Sequence, residues 1–300
     1  MINFLKFKNI YYLFSFLLVG GSIIGLIIFG LNWGIDFQGG GALTFQYLDG
    51  QPTAEAAREA LSETVSGAVN VRLIGEKEMT VQINSRNVSQ EDKTEIIGAL
   101  EELGEIDKAS INFESISPII GRELNQKTRT VVILSTIIIL LYISFAFRKI
   151  AHPLPSWQYG FAALIALLHD VLIALGVFVV IGELYGIQIN ISIITALLVV
   201  FGYSVNDSVV VFDRIRENLL KGIGKDYFDT VNISLNQTLK RSLNTSLTTL
   251  LALLSIFFFG GTALHFFALA LIIGIISGTY SSFFLASPLL ASCYLLKKRK

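Results

Sequence analysis

The sequence predicts a membrane protein: an all-α bundle of six membrane-spanning helices, with one α+β domain inserted after the first span. Composition is the first reason, because 53% of the 300 residues are hydrophobic and only 15% are charged, against about 25% in soluble domains. The mean hydropathy is +0.63. The second reason is a series of long uncharged runs, and the third is one stretch, 32–127, with the mixed helix and strand patterning of a soluble domain.

Composition also excludes several classes of site. The formal net charge is zero, so no overall basic bias points to nucleic acid. Cys293 is the one cysteine and lies in an apolar run, which leaves no disulfide within the chain and no cysteine-rich metal site. The three histidines are scattered, and Gly222–Lys225 lacks the spacing of a P-loop. We therefore predict no metal, no cofactor and no nucleic-acid partner.

The uncharged runs predict the membrane spans. Residues 1–31 form the N-terminus and first span, which is too long for the core of a signal peptide and lacks a cleavage site, so we expect it to be retained. The other predicted spans are about 128–147, 157–181, 187–212, 240–260 and 266–296. The last run exceeds the bilayer thickness, which predicts either a loop at its outer end or a tilted helix.

The distribution of lysine and arginine predicts the orientation of these spans. Basic residues occupy the Arg148-Lys149 loop, the 213–241 loop and the 297–300 tail, whereas the loops near 182–187 and 260–265 contain neither lysine nor arginine. Basic short loops lie on the cytoplasmic side of a membrane. We expect both termini to be cytoplasmic and the 32–127 domain to be extracytoplasmic.

The sequence of the inserted domain predicts four strands and two helices. Strands are predicted at 42–48, 69–74, 79–83 and 111–116, and helices at 53–65 and 89–103, where Thr53 and Ser89 begin the helices. The order βαββαβ is that of a ferredoxin-like domain. Because the domain contains no histidine, no cysteine and no glycine-rich phosphate loop, a binding or mechanical role is favoured over catalysis.

Asp207 is the strongest functional candidate in the chain. It lies in an apolar run, with five uncharged residues between it and Asp213, roughly 7–8 Å deeper in the membrane than Phe212 if the segment is helical. A carboxylate at such depth costs about 2.5–3.5 kcal/mol, and intramembrane acids usually mark ion or proton paths. The alternative is a polar group that only fixes helix packing. Asn206 is a neutral hydrogen-bonding neighbour at the same depth.

Arg241 is the second candidate. It belongs to a stripe of polar residues that recur three to four apart and so share one helix face, at 237/238, 241, 244/245 and 248. A polar stripe in a membrane span must face protein or water. Protonation of Asp207 would release an ion pair with Arg241 and so bias two helix arrangements. The alternative role, a basic anchor that reaches to the membrane surface, is nearly as well supported.

Two further features lie in the predicted spans. Asp170 follows His169 near the middle of the third span, and the pair fits either a second relay element or a packing role. The two side chains should point about 100° apart on a helix. Ala270, Gly274, Gly278 and Ser282 recur every four residues in the last span, a pattern typical of close helix–helix packing.

Five segments spread over essentially the whole chain match one known family in its own order. They are Gly34–Gly40, Ser117–Leu124, His169-Asp170, Asn206–Asn218, and Arg241 with Ser246–Thr249. On these segments the chain resembles the SecF family, membrane subunits that work with SecD on the bacterial Sec protein-export translocase, which implies a bacterial inner membrane. Within these segments the residues typical of the family include Asp36, Gly39, Gly40, Gly121, Asp213 and Arg214.

The resemblance implies more than the residues themselves do. The family belongs to the resistance–nodulation–division superfamily, whose units have twelve spans in two halves, so this chain would be one half and SecD the other. It implies proton- or sodium-driven movement of the external domain, which promotes preprotein export through the SecYEG channel, with YajC as a further partner. Asp207 and Arg241 would belong to the proton path, and the role of Asp170 carries over less surely.

Three other functions compete with this interpretation. A half-transporter could export lipids or small molecules by the same proton chemistry, and a large apolar cleft in the external domain would favour it. A scaffold could stabilise the translocase without conducting protons, and it would tolerate loss of the Asp207 charge. An intramembrane enzyme is disfavoured, because the sequence has no paired catalytic aspartates with flanking motifs, no Ser–His set and no metal-ligand spacing.

Overall fold

A computed structural model of the chain describes residues 1–64, 69–84, 88–148 and 153–298. Val65, Lys149, Arg299 and Lys300 lie outside the described residues, so the predictions that involve them stay predictions. The chain divides into two compact units: a helical unit of Met1–Leu31, Val131–Ile187 and Ser192–Lys300, and a mixed unit of Asn32–Thr130 with Gln188–Ile191.

The helices and strands have the following bounds. The helices are α1 (Lys8–Ile28), α2 (Ile35–Gln38), α3 (Ala54–Thr64), α4 (Gln90–Glu101), α5 (Pro118–Ala146), α6 (Ser156–Tyr185), α7 (Ile191–Leu220), α8 (Tyr227–Phe259), α9 (Thr262–Ser281) and α10 (Ser287–Lys298). The strands are β1 (Gly40–Tyr47), β2 (Val69–Ile74), β3 (Glu78–Asn84) and β4 (Ile106–Ile116). A π-helical segment, Ser282–Ala286, joins α9 to α10.

Within the described residues, six helical stretches are long and apolar enough to cross a membrane. They are α1 with the 3-10 turn that precedes it, α5, α6, α7, α8, and the continuous stretch from α9 to α10. The predicted multi-pass membrane protein is confirmed. In the last span the helix begins at Thr262 and continues through the π-helical segment, so the predicted alternative of a loop at its outer end is wrong.

Two of the membrane helices extend well beyond their apolar runs. α5 begins at Pro118 and α8 at Tyr227, ten and thirteen residues before the predicted spans 128–147 and 240–260. The start of α8 is fixed by Asp226, whose side chain accepts a hydrogen bond from the backbone N–H of Asp229 at 2.8 Å. Hydropathy does not register the first turns of α8, because the buried Tyr227, Val231 and Leu235 are interspersed with polar residues.

The core of the helical unit contains a cluster of three aromatic side chains, and elsewhere its helices approach each other closely at small residues. Phe147, Tyr159 and Phe212 are at most 2% exposed, and their ring centroids lie 5.5–6.0 Å apart. α9 packs on both α6 and α8, and α1 packs on α6. Since van der Waals packing drives helix association in lipid, close approach at small residues stabilises such a bundle.

Gly274 is one of these close approaches and provides a test of the packing. A Cβ atom at Gly274 would lie 2.1 Å from Val200 Cγ2 on α7. We expect Gly274→Ala to lower the free energy of unfolding in mixed micelles by about 1–3 kcal/mol, as overpacked cores do. Adding Val200→Ala should restore part of that loss. Gly20→Ala is the matched control, because nothing lies within 4 Å of a Cβ there; equal effects at positions 20 and 274 would contradict the packing.

The described residues of the mixed unit include a four-stranded sheet in the order β2-β3-β1-β4. β1 pairs antiparallel with β3 and β4, and β2 pairs antiparallel with β3. β4 begins at Ile106, five residues before the predicted start, because its first residues are polar and partly exposed and carry no clean alternation. The register of β1 and β4 shifts between Thr44 and Gln46, which adds to this irregularity.

The sheet packs its apolar face against α3 and α4. Met79, Val81 and Ile83 alternate along β3 and are at most 2% exposed, in the same core as Leu61 of α3 and Leu100 of α4. α4 begins with a reciprocal cap in which Ser89 and Asp92 each accept a hydrogen bond from the other's backbone N–H. These contacts give the unit a core of its own.

Candidate functional site

Asp207 is buried in the helical unit. It lies on α7 and is 3% exposed, between the buried side chains of Ser204 and Ser208 on the same helix. Its Oδ2 atom has no hydrogen-bond partner among the residues that the structure describes. A buried polar atom without a partner is costly and marks a place where a proton, an ion or water can bind. Asp207 is thus buried within the protein, and its depth in the membrane stays a prediction.

The groups that act on Asp207 come from α8. The Ser242 hydroxyl and the Arg241 guanidinium are the neighbours that influence its carboxylate. Ser242 is 2% exposed, and its Oγ, like Asp207 Oδ2, makes no hydrogen bond of acceptable geometry to a described residue. Across the described part of the chain, Arg241 forms no ion pair with Asp207 within 4 Å. Arg241 thus acts on Asp207 at a distance, and the proposed direct pair is not formed in this conformation.

The polar residues of α8 divide into an inner and an outer row. Thr238, Ser242 and Ser246 are buried, and Ser246 Oγ lies 2.6 Å from Thr279 Oγ1 on α9. The outer row is exposed on this chain and comprises Arg241, Asn244, Thr245 and Thr248. The predicted stripe contained the outer row together with Thr238 and missed Ser242 and Ser246, although the spacing of four residues from Thr238 to Ser242 and Ser246 is visible in the sequence.

Asn206 points away from Asp207. It is exposed on α7 whereas Asp207 is buried, as expected for neighbours that lie about 100° apart on a helix. The structure therefore does not place the two side chains in one site. Together with the outer row of α8, Asn206 makes a set of polar side chains exposed on membrane helices, which we call the exposed polar set: Asn206, Arg241, Asn244, Thr245 and Thr248.

A cavity of about 260 Å³ lies beside Arg241. Asp213 and Arg216 line it with Arg241, and apolar residues of α5 and α7 complete the wall. Asp213 Oδ1 accepts a hydrogen bond from Arg216 Nη1 at 3.3 Å. Arg214 instead donates to Glu217 at 2.6 Å. The predicted family residues Asp213 and Arg214 thus make local ion pairs on α7, and Asp213 alone of the two reaches the cavity.

Asp170 lies in a closed cage of hydrogen-bond donors. It is 0% exposed, and Oδ2 accepts hydrogen bonds from Ser204 Oγ at 2.5 Å and Ser281 Oγ at 2.7 Å. Oδ1 accepts one from Ser277 Oγ at 2.8 Å and lies 2.9 Å from His169 Nδ1. Each carboxylate oxygen therefore has two polar contacts, and α6, α7 and α9 are joined through one side chain.

The cage contains partners that the sequence analysis did not identify. Ser277 and Ser281 lie four residues apart on α9, one position before Gly278 and Ser282 of the predicted packing stripe. His169 contacts Asp170 directly despite the angle between them, and its Nε2 atom is buried without a described partner. Two serines four residues apart in one span, together with an aspartate in another span, are the sequence signal that could have indicated this cage.

The glycines of the Gly34–Gly40 segment are required by close backbone approaches in the mixed unit. Gly39 has a φ of +74°, and a Cβ there would lie 2.4 Å from Pro118 Cα. A Cβ at Gly121 would lie 2.7 Å from the backbone nitrogen of Gly39. Gly40 follows with a φ of +138° and begins β1. The structure places Asp36 and these glycines in the mixed unit, whereas Asp170, Asp207 and Arg241 belong to the helical unit.

No group of three or more histidine, cysteine, aspartate or glutamate side chains that could hold a metal ion occurs among the described residues. Around Asp207 and Asp170 the helical unit offers carboxylates, serine hydroxyls, the His169 imidazole and the Arg241 guanidinium. Asp207 Oδ2 and Ser242 Oγ have no hydrogen-bond partner among the described residues, whereas both carboxylate oxygens of Asp170 have serine partners. This difference assigns the candidate ion or proton site to Asp207.

Comparison with known proteins gives matches over nearly the whole chain. The protein export membrane protein SecD/SecF C-terminal family matches residues 95–296, and the SecD/SecF GG motif matches residues 24–40. The chain is similar to protein translocase subunit SecF of Thermobaculum terrenum, with 42% identity over 97% of this chain and 94% of that one. It is also similar to SecF of Rickettsia prowazekii, with 37% identity over 96% of this chain and 89% of that one.

Solved structures extend the similarity to the fold. The crystal structure of SecDF, a translocon-associated membrane protein from Thermus thermophilus, matches with a TM-score of 0.82 and 32% identity over 100% of this chain. SecDF in a super-membrane-facing form matches with a TM-score of 0.69 and 32% identity over 99% of this chain. The chain spans 39% of the length of each SecDF chain. From these matches, the chain belongs to the SecF family of protein translocase subunits, within the SecD/SecF group of protein-export membrane proteins.

Proposed function

We propose that this chain works with SecD as an accessory subunit of the Sec translocase, using a proton or sodium gradient to promote preprotein export through the SecYEG channel. The observation that carries the gradient coupling is Asp207, buried in a membrane helix with an unpartnered oxygen beside Ser242 and Arg241. The relatives' designation as translocase subunits supports a role in transport rather than catalysis.

A SecD partner would cover the exposed polar set. Asn206, Arg241, Asn244, Thr245 and Thr248 are exposed on membrane helices of this chain, and polar side chains in a membrane face protein or water rather than lipid. The chain corresponds in length to part of SecDF. SecD would therefore supply the facing half, and YajC and the preprotein would contact the assembled unit.

The mixed unit would be a ferredoxin-like extracytoplasmic domain. The order βαββαβ and the all-antiparallel sheet order β2-β3-β1-β4 support that fold. Arg214, Arg216 and Lys221 lie after α7 has left its apolar run, and Lys297 and Lys298 end the described chain. By the positive-inside rule these ends are cytoplasmic, as are both termini, in a bacterial inner membrane.

Coupling would follow from the charge state of Asp207. When Asp207 is ionised, its attraction to Arg241 and the donor capacity of Ser242 favour a close approach of α7 and α8. When it binds a proton or sodium ion, the net attraction falls and a second arrangement gains population. A driving force of about 180 mV would supply roughly 4 kcal/mol per ion, enough to bias two states.

Export into membrane vesicles tests this function. Vesicles with SecYEG and SecD are prepared with and without this chain, and preprotein protection from protease is measured under an imposed gradient. We expect the increment due to the chain to disappear when the coupling gradient is collapsed. A protonophore and a sodium ionophore applied separately identify the ion. The quantity compared is the difference in export between vesicles with and without this chain, so any effect of the gradient on the SecYEG channel itself cancels.

Two alternatives make different predictions in the same assay. A scaffold that conducts no ions would give the same increment with and without a gradient. A half-transporter for lipids or small molecules would give no increment in export at all. Either result would contradict the proposed function.

A further inference from the structure

The segment that carries the GG motif contacts the start of α7. The backbone N–H of Ile189 donates to the carbonyl of Asn32 at 2.7 Å, and the N–H of Gly34 donates to the carbonyl of Ile189 at 2.9 Å. Trp33 and Ile189 form a parallel bridge. A Cβ at Gly34 would lie 3.2 Å from the Ile189 carbonyl oxygen, so the glycine permits this approach. All of these residues belong to the mixed unit.

Asp36 adds a side-chain contact at the same place. Its Oδ2 atom accepts a hydrogen bond from the backbone N–H of Ile191 at 2.7 Å, and Ile191 is the first residue of α7. The first N–H groups of a helix have no partner within the helix and are commonly satisfied by aspartate, asparagine or serine side chains. Here the capping carboxylate comes from a segment 155 residues earlier.

The same segment is held against the first turn of α5. Pro118 lies so close to Gly39 that a Cβ at position 39 would overlap its backbone, and a Cβ at position 121 would lie 2.7 Å from the Gly39 nitrogen. Gly40, the next residue, begins β1 at the centre of the sheet. One short stretch therefore joins β1 to the first residues of two membrane helices.

We propose that Asp36 is a positioning residue whose cap holds the first turn of α7 to the GG-motif segment. α7 also carries Asp207, so a displacement of α7 on ion binding is passed through Ile191 and Asp36 to Gly40 and β1. The cap uses the hydrogen-bond acceptor of Asp36 and does not need its charge. The transmission, though not the cap, rests on the function proposed for Asp207.

The test compares Asp36→Asn with Asp36→Ala in the assembled complex with SecD. Asparagine caps helices about as well as aspartate, whereas alanine does not. Hydrogen–deuterium exchange of peptides covering 188–196 measures the cap, and gradient-stimulated export measures transmission. Asp49→Ala is the matched control, because Asp49 is an exposed carboxylate in the turn after β1 of the same unit.

We expect Asp36→Ala to speed exchange at the start of α7 by about two- to thirtyfold, the range that corresponds to loss of a helix cap, and to remove gradient-stimulated export. Asp36→Asn and Asp49→Ala should behave like the wild type in both measurements. Loss of export in Asp36→Asn with normal exchange would overturn the proposal, since the charge would then be what matters. Normal exchange in Asp36→Ala, or fast exchange with normal export, would overturn it too.

Asp207→Asn separates this proposal from the proposed function. It should remove gradient-stimulated export while exchange at 188–196 stays at the wild-type rate. If Asp207→Asn and the wild type respond equally to the gradient, the relay role of Asp207 fails and the transmission fails with it. The exchange rates of the Asp36 variants would still decide whether the cap exists.

Discussion

Asp207→Asn is expected to remove the gradient-stimulated part of preprotein export while leaving the complex with SecD assembled. Asparagine keeps the shape of the side chain and its ability to form hydrogen bonds but has no titratable proton. Asp207 is buried, and its Oδ2 has no described partner, so the substitution breaks no hydrogen bond at that atom. The free energy of unfolding should therefore change little, and only the response to the gradient should be lost.

The measurement is export into vesicles with the gradient present and collapsed, together with recovery of SecD on purification of this chain. Asp213→Asn is the matched control, because Asp213 lies on the same helix but is exposed and contacts Arg216. We expect it to keep most of the stimulation. Unchanged stimulation in Asp207→Asn would contradict the relay and favour the scaffold. Loss of SecD recovery would show that Asp207 acts in packing.

Asp170→Ala is expected to destabilise the helical unit itself. The substitution removes the acceptor of three serine hydroxyls on α7 and α9, and a hydrogen bond within a protein contributes about 0.5–1.5 kcal/mol to stability. Serine hydroxyls in helices can bond instead to the carbonyl of a preceding turn. We therefore expect a net loss of about 2–4 kcal/mol in the free energy of unfolding.

Unfolding in mixed micelles measures this loss, and Ser282→Ala is the control, because Ser282 contacts Gly278 and Ser208 but not Asp170. A loss no larger than that of Ser282→Ala would contradict the structural role of the cage. Asp170→Asn distinguishes packing from relay. If the cage only joins three helices, this variant keeps gradient-stimulated export. If Asp170 carries protons, export fails although the protein folds.

The sequence was most informative where one residue type forces one environment. Asp207 in an apolar run must be buried and costly, and it is buried. The alternation of Met79, Val81 and Ile83 must belong to a strand with one apolar face, and all three lie in the core. Periodicity and hydropathy are properties of neighbouring residues, so the structures they indicate can be predicted from the sequence without knowledge of the fold.

Contacts between residues far apart in the sequence could not be predicted in this way. Ser277 and Ser281 are unremarkable serines until α9 packs against α6 and places them on Asp170. Asp36 is typical of the family, but its contact with Ile191 depends on chain segments 155 residues apart. The division of α8 into inner and outer polar rows likewise depends on which neighbours surround the helix.

Local sequence was enough to predict the membrane class, the number of spans, most elements of the inserted domain and a buried acid at Asp207, because transfer from water to lipid and strand alternation are properties of neighbouring residues. The packing of the helices was needed to show that Asp170 is caged, that Asn206 faces away from Asp207, and that Arg241 lies outside ion-pair distance of Asp207. These outcomes depend on the rotation of each helix and on contacts between residues far apart in the sequence, which no local pattern encodes.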